Sequence, residues 1–521
     1  MKKTALNPYL PYWENVPDGE PHVFGDRIYL YGSHDRFQGA HFCLNDYVCY
    51  SADVTDLTDW RYEGVIYKKE QDPRNKNISE DTPKIESDPG MELLRPEELN
   101  PPGIHAMWAP DVVRGPDGRY YLYYCLDFLP EIGAAVCDTP AGQYEFLGLV
   151  RHKDGTPLGT REGDLIQFDP GIFVDDDGEI YLYSGNAPIS QEWIDKDPDT
   201  PRKGSQVMKL EPDMLTLKEE PKKLMPDLRD QGTGGFCGHE FFEASSIRKI
   251  CGRYYFVYSS VQSHELCYAI SDRPDEGYQF GGTLVDIGDI FLDGRDEGEA
   301  VNCLGNTHGG IEKAGDQWYV FYHRQTNRTN YSRQACAEKI RFDKDGKIAQ
   351  AEVTSCGLNQ GALRGIGVYP ARICCHLTGK SGAVFSHPLA MKMNYPYLTQ
   401  DERDIEPDEE TMEQDRQVPY QYIKNMKDGA TAGYKYFELQ GLKRIAVTVR
   451  GKADGVLEIR TREPSRGSDL VESPIGRIEI NVDSNTWCRF EGKAEGKEGK
   501  SVLYFTYRGN GAVDLQSFEM F

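Results

Sequence analysis

Asp18, Asp111, Asp169, Glu243 and His308 are the residues of this 521-residue chain whose types and spacing could do chemistry together. Four carboxyls and an imidazole could hold a cation, or could divide acid and base work between a protonated and an ionised carboxyl. Glu243 stands in "HEFFEASSI", residues 239 to 247, beside Phe241, Phe242, Glu240 and His239. Alone, that stretch fits a metal pair, the charged face of a helix, or a catalytic acid in an apolar wall.

The elements that must position these residues decide between the readings. Each polar residue opens a similar segment. These are "DGEPHVFGDRIYLYGS" from Asp18, "DVVRGPDGRYYLYYC" from Asp111 and "DPGIFVDDDGEIYLYSG" from Asp169, then "EASSIRKICGRYYFVYSS" from Glu243 and "HGGIEKAGDQWYVFYH" from His308. Tyr29, Tyr121, Tyr181, Tyr255 and Tyr319 follow the five polar residues by 11, 10, 12, 12 and 11 positions. The middle of each segment is a glycine turn, and the run after it is aromatic or β-branched, so each segment is a β-hairpin. Five hairpins spaced about 60 to 90 residues apart predict a radial array, a β-propeller, whose innermost strands bring the five polar residues to one mouth of a central channel.

A single Asp in such a place more often caps its own turn. Five polar residues in register need another reason, because converging carboxyls repel. A hairpin after residue 243 removes the helical metal pair. Glu240 precedes the repeat and reads as a loop residue. Asp175-Asp176-Asp177-Gly178 lacks the spaced ligands of a calcium loop and reads as a turn. Asp111 receives no catalytic role and is taken as structural.

The rest of the chain reads as follows. Residues 342 to 378 hold short strands expected to close the last blade. From about 385, runs such as "YKYFEL", "RIAVTVRG" and "SVLYFTYRG" alternate apolar and polar residues between turns, the pattern of an antiparallel sandwich. The fold class is all-β, a five-bladed β-propeller over 1–378 followed by a β-sandwich (jelly-roll) domain over 379–521. Residues 400 to 416 are acidic and read as a solvated loop. The net charge of −25 disfavours nucleic acid and anionic membranes as partners and suits a neutral ligand. Thirteen cysteines without a CxxC pair read as reduced thiols. With no apolar run behind the N-terminal lysines, the expected location is cytoplasmic.

Carboxyls at the mouth of a pocket for an uncharged ligand match glycoside hydrolysis, which needs an acid for the leaving oxygen and a partner across the sugar. Glu243, with its phenylalanines and Asp169 as neighbour, is the acid that could hold a proton at neutral pH. Trp108 offers a stacking surface and reads equally well as core.

"NPYLP", "HAMWAPDVV", "FDPGIFVDDDGEIYLYSG", "FFEASSIRKICGRYYFVYSS" and "NTHGGIEKAGDQWYVFYHR", in this order, resemble glycoside hydrolase family 43 over roughly residues 7 to 375. The resemblance implies a five-bladed propeller that inverts anomeric configuration. It assigns Asp18 as general base, Asp169 as pKa modulator and Glu243 as general acid. The family's base is usually followed by proline, whereas Gly19 follows Asp18, so Glu20 is the alternative base. His308 resembles the blade-five histidine found near a metal or water, which admits calcium in the channel; no cofactor is required. Arg324, in "FYHRQ", resembles an arginine that contacts substrate. The sandwich resembles a family 6 carbohydrate-binding module.

The implied enzyme is an exo-acting glycoside hydrolase, a β-xylosidase and/or α-L-arabinofuranosidase acting on small xylo- or arabino-oligosaccharides. The polar insertion at residues 71 to 103 is long enough to wall off one end of a cleft. Endo-arabinanase, β-1,3-galactan hydrolase and a non-catalytic sugar-binding propeller are the other readings.

Overall fold

The computed structural model describes residues 5–37, 39, 41–76, 104–230, 234–327, 329–384, 395–401, 420–464 and 473–521. Most of the insertion expected to wall the cleft (77–103) and most of the acidic stretch (402–419) lie outside them.

The five hairpins form the inner strands of five sheets. Blade one is β1 (Glu20–Phe24), β2 (Arg27–Tyr31), β3 (Tyr47–Asp53) and β4 (Asp56–Tyr67). Blade two is β5 (Met107–Arg114), β6 (Tyr120–Leu126), β7 (Ile132–Cys137) and β8 (Glu145–Leu149). Blade three is β9 (Gly171–Val174), β10 (Ile180–Asn186), β11 (Gly204–Leu210) and β12 (Leu217–Lys223), with a short helix, α1 (Gln191–Lys196), between β10 and β11. Blade four is β13 (Phe241–Ile250), β14 (Arg253–Ser260), β15 (Glu265–Ser271) and β16 (Gln279–Asp286). Blade five has three strands, β17 (Ile311–Ala314), β18 (Gln317–Gln325) and β19 (Arg333–Ile340). All neighbours within a blade run antiparallel.

The aromatic second strands form sheet because their side chains are buried on both faces, each between two blades. Five apolar clusters fill the gaps. Tyr31 and Tyr47 meet Leu122 and Tyr124 between blades one and two. Tyr123 and Ile132 meet Leu182 between two and three. Tyr183 meets Phe256 between three and four. Val257 meets Val320 between four and five. Ile28 and Leu30 meet Phe321 and Ala337 between one and five, which closes the ring. At that seam Gly309 bridges Gly19, and a Cβ on Gly309 would meet the Phe321 carbonyl oxygen at 1.9 Å. Gly309 therefore lets the chain leading into β17 lie against the β18 backbone of its own blade.

Of the segment expected to close the last blade, Ile348, Ala351 and Val353 pack between blades four and five, but residues 363 to 378 belong elsewhere. β20 (Leu363–Arg364) and β22 (His376–Thr378) pair with β25 (Thr431–Leu439), and β21 (Gly367–Pro370) pairs with β28 (Gly499–Met520). Blade five is instead flanked by the N-terminal segment. Tyr9 N–H donates to the Ala335 carbonyl (3.1 Å), and the Asn7 side chain brackets Ala337 through both its N–H and its carbonyl.

The C-terminal β-sandwich is one hydrogen-bonded network around one core. It also contains β23 (Tyr397–Thr399), β24 (Tyr422–Met426), β26 (Arg444–Arg460) and β27 (Gly476–Lys493). Ile373 and Cys374 pack with Phe437, Phe505, Leu515 and Phe518 in that core. Polar bonds fasten it to the propeller: Lys435 Nζ lies 2.7 Å from Glu352 Oε1, and Gln421 donates to Gln334 (3.0 Å).

Candidate active site

The hairpin registers correct the alignment read from sequence. The reference tyrosines pair with His22, Val113, Phe173, Arg248 and Glu312. Counting back from those partners puts Asp18, Asp169 and His308 at one level, but Asp111 two residues deeper, at the level of Glu20. β-bulges account for the other two blades. In blade two the register shifts between Trp108 and Asp111, and in blade four between Glu243 and Ser246. Trp108 therefore lies opposite Cys125 and Glu243 opposite Ser259, each four residues past its reference tyrosine. The shifted registers turn Trp108 and Glu243 to the mouth alongside the other three. Asp18, Trp108, Asp169, Glu243 and His308, one from each blade, line a single pocket of about 600 Å³.

Asp111 is bound into the ring below. Its Oδ1 lies 2.6 Å from His22 Nε2, and its Oδ2 accepts the Ile172 N–H (2.7 Å), tying blades one, two and three. Glu20, the alternative base, is also below the pocket. It accepts from Ser246 Oγ (2.7 Å) and pairs with Arg248 (2.9 Å). Glu240 accepts the Gly238 N–H in its own loop, and His239 turns to Glu265 (2.6 Å). Neither lines the pocket.

Arg324 is not at the pocket, against expectation. Its guanidinium donates to the Cys374 (2.5 Å) and Arg372 (3.0 Å) carbonyls and so fastens the propeller to the sandwich. The arginine that holds Asp18 is Arg333, which opens β19. Its Nη1 donates to Asp18 Oδ1 (2.9 Å), while Nε and Nη2 hold both oxygens of buried Asp35 (2.9 and 3.0 Å). Its signal in the sequence is a fixed charge heading a strand with a small apolar centre, "ACA" in "RQACAEKI".

The electrostatics differ across the pocket. Burial pushes the Asp18 carboxyl upward, but Arg333, His323, His308 and a hydrogen bond from Ser33 outweigh it, and the pKa falls below the ordinary Asp value. His323 accepts the Asp18 N–H at Nδ1 (3.1 Å), so its Nε2 carries the proton toward the Asn306 carbonyl (2.9 Å). Burial drives that imidazole down to about 3, so it is neutral at physiological pH. Glu243 goes the other way. Burial, then the charge of Asp18, push it up to about 8, against the pull of Arg202 and Arg333. Asp169 is also raised, by burial, Glu243 and Asp18, while the Ala244 N–H favours its ionised form. Glu243 and Asp169 titrate as a pair, and the pair retains a proton at neutral pH.

His308 Nδ1 lies 3.5 Å from Asp169 Oδ2 and 3.9 Å from Asp18 Oδ1. Burial lowers its pKa to about 4. Calcium takes six to eight oxygens. Around His308 the protein offers one imidazole and two carboxylates, one of them already held by Arg333, so the donor set does not fit calcium. Apolar walls complete the pocket: Trp108 meets Phe168 edge-on at 5.3 Å and Phe42 at 5.8 Å.

Residues 14–348 match the family model described as "Glycosyl hydrolases family 43". The chain is 46% identical over 523 residues to a xylosidase/arabinosidase of Thermoclostridium stercorarium, covering all of this chain and 99% of that one. It is 29% identical over 366 residues to xylosidase/arabinosidase 43A of Humicola insolens, covering 65% of this chain and 98% of that one. It is 27% identical over 371 residues to a xylosidase/arabinosidase of Bacteroides ovatus, covering 66% and 97%. A pocket lined by an ionised aspartate and a carboxyl pair that keeps its proton, on five blades that this family's model spans, leads to one conclusion: the chain belongs to glycoside hydrolase family 43.

Proposed function

We propose that the protein is an exo-acting, inverting glycoside hydrolase that removes a terminal xylose or arabinose from small xylo- or arabino-oligosaccharides. One observation carries the mechanism. A single pocket holds an aspartate kept ionised by Arg333 and a glutamate that burial and Asp18 push up to about 8. The full-length likeness to a xylosidase/arabinosidase supports the substrate class.

The terminal sugar enters the pocket against Trp108 and Phe168. Asp18 accepts a proton from water as its oxygen attacks the anomeric carbon. The bond from that carbon to the leaving oxygen breaks, and Glu243 gives its proton to that oxygen. In this cycle the proton that the Glu243–Asp169 pair retains sits on Glu243, and the Ala244 N–H favours the ionised form of Asp169. The free sugar of inverted configuration and the shortened oligosaccharide leave. Proton exchange with solvent then resets Asp18 and Glu243. No covalent intermediate forms.

For the C-terminal sandwich, the bonds made by Arg324, Gln421 and Lys435 support a buttress for blade five. Its resemblance to a family 6 carbohydrate-binding module supports a sugar-binding role beside that one. The unpaired cysteines support a reducing compartment.

Hydrolysis of aryl β-xyloside and aryl α-L-arabinofuranoside by wild type, Asp18→Asn and Glu243→Gln tests the assignment. Activity that survives both substitutions would sink the site. Cleavage of galactan or internal arabinan bonds in place of either substrate would sink the substrate class. Proton NMR of the first-formed sugar reads inversion directly.

A further inference from the structure

The connection between β10 and β11, residues 187 to 203, carries α1 and contributes Ile189, Trp193 and Arg202 to the pocket lining, next to Asn186 at the end of β10. These residues stand on the Glu243 side. Asn186 Nδ2 donates to Glu243 Oε2 (3.1 Å), and Arg202 Nη1 donates to Asn186 Oδ1 (2.6 Å). Two features set this group apart from the carboxyls and Arg333. Trp193 is 44% exposed at the pocket, and among the described residues no ring packs on it, whereas Trp108 packs against Phe42 and Phe168. The backbone of Trp193 is nonetheless fixed: its N–H donates to the Ser190 Oγ cap and its carbonyl accepts the Asp197 N–H. Arg202 is half-buried, and among the described residues no carboxylate pairs with it, whereas Arg333 spends its donors on Asp18 and Asp35.

An anchored, uncovered indole lining the same pocket as a cation without an acid partner fits a neutral ligand with one flat apolar face and several hydroxyls. The acid must stand next to the oxygen that leaves, so the leaving group lies on this side of the scissile bond. We propose that the blade-three connection forms the leaving-group subsite, with Trp193 stacking on a pyranose and Arg202 donating to its hydroxyls. The ligand class is then a backbone xylopyranose of a β-1,4-xylo-oligosaccharide, whichever terminal pentose is removed. Through Asn186, Arg202 is also a positioning residue for Glu243. This inference rests on the proposed hydrolase reading.

The test compares kcat/KM for β-1,4-xylobiose with that for β-xylosyl fluoride, whose leaving group offers nothing to stack on and needs little protonation. Trp193→Ala is expected to lower the xylobiose-to-fluoride ratio about tenfold, mainly through KM, and Trp193→Phe to restore it to within about threefold. Arg202→Met is expected to lower the same ratio and to move the alkaline limb of the pH profile upward, because a positive charge beside Glu243 is lost. A ratio within about twofold of wild type in both Trp193→Ala and Arg202→Met would overturn the subsite. So would equal losses on both substrates, which mark a general collapse of the pocket. Wild type inactive on both substrates would overturn the hydrolase reading and the subsite with it.

Discussion

Each of the two walls of the pocket presents a buried carboxyl, and the two carboxyls behave in opposite ways. On the wall shared by blades one and five, Asp18 is pinned by Arg333, which is itself locked to Asp35. On the wall shared by blades three and four, Glu243 has one amide donor and lies beside Asp169. Burial penalises both charges, but a fixed guanidinium reverses the outcome on the first wall only. The difference teaches that acid and base are assigned by their neighbours, since burial alone would raise both.

Removing each carboxyl and reading two leaving groups gives the largest expected effects. Asp18→Asn is expected to cost about 10³-fold on aryl xyloside and on xylosyl fluoride alike, because both reactions need the activated water. Glu243→Gln should cost about 10³-fold on xylobiose but only about tenfold on the fluoride. Equal losses from both variants on both substrates would contradict a division into acid and base.

Arg333→Met probes the first wall through its cation. It should lower kcat about 10²-fold and move the acidic limb of the pH profile upward, as Asp18 rises toward and above its ordinary value. An unmoved acidic limb would show that Arg333 does not set Asp18.

In wild type the profile should be a bell. Activity rises with pH as Asp18 ionises, below the usual carboxylate range, and falls as Glu243 loses its proton near pH 8. In Glu243→Gln the alkaline limb should vanish from fluoride hydrolysis.

The smallest effect concerns stability. A carboxyl raised in the folded state costs nothing below its unfolded pKa. Its cost grows as pH rises toward the folded value, near 8 for Glu243. Glu243→Gln should therefore raise Tm by about 2–4 °C at pH 8 and leave it nearly unchanged at pH 4, measured by calorimetry. Asp18→Asn should do the reverse. The carboxylate is stabilised by Arg333, so its removal lowers Tm at pH 8 and matters little once the pH falls below the folded pKa.

Much of this was legible in the chain. The turn glycines and aromatic second strands specify hairpins locally, and five copies at a regular spacing specify a ring. Glu243, Asp169, Asp18 and His308 could be picked out because each begins such a unit. Asp111 misled because its ten-residue gap to Tyr121 is close to the eleven and twelve of the other blades, whereas the ladder pairs it with Tyr123 and so places it below. The bulge before it, which turns Trp108 to the mouth, leaves no mark in composition. Arg324 misled because a motif shows neighbours in sequence, whereas its partners, the Arg372 and Cys374 carbonyls, come from another region. The segment at 363 to 378 misled for the same reason: short strands show their own pattern and not the partner they will pair with.

What the sequence determined by itself was therefore local and periodic: the hairpins, the all-β class and the residue types brought near one mouth. Only the tertiary structure decided which of them face the pocket, because register shifts of one or two residues arise from pairing. It alone decided which carboxyl is ionised, because the sign of each shift depends on charges such as Arg333 that are distant in sequence. Electrostatic energy depends on separation in space, and in this chain Asp18 and Arg333 meet across 315 positions.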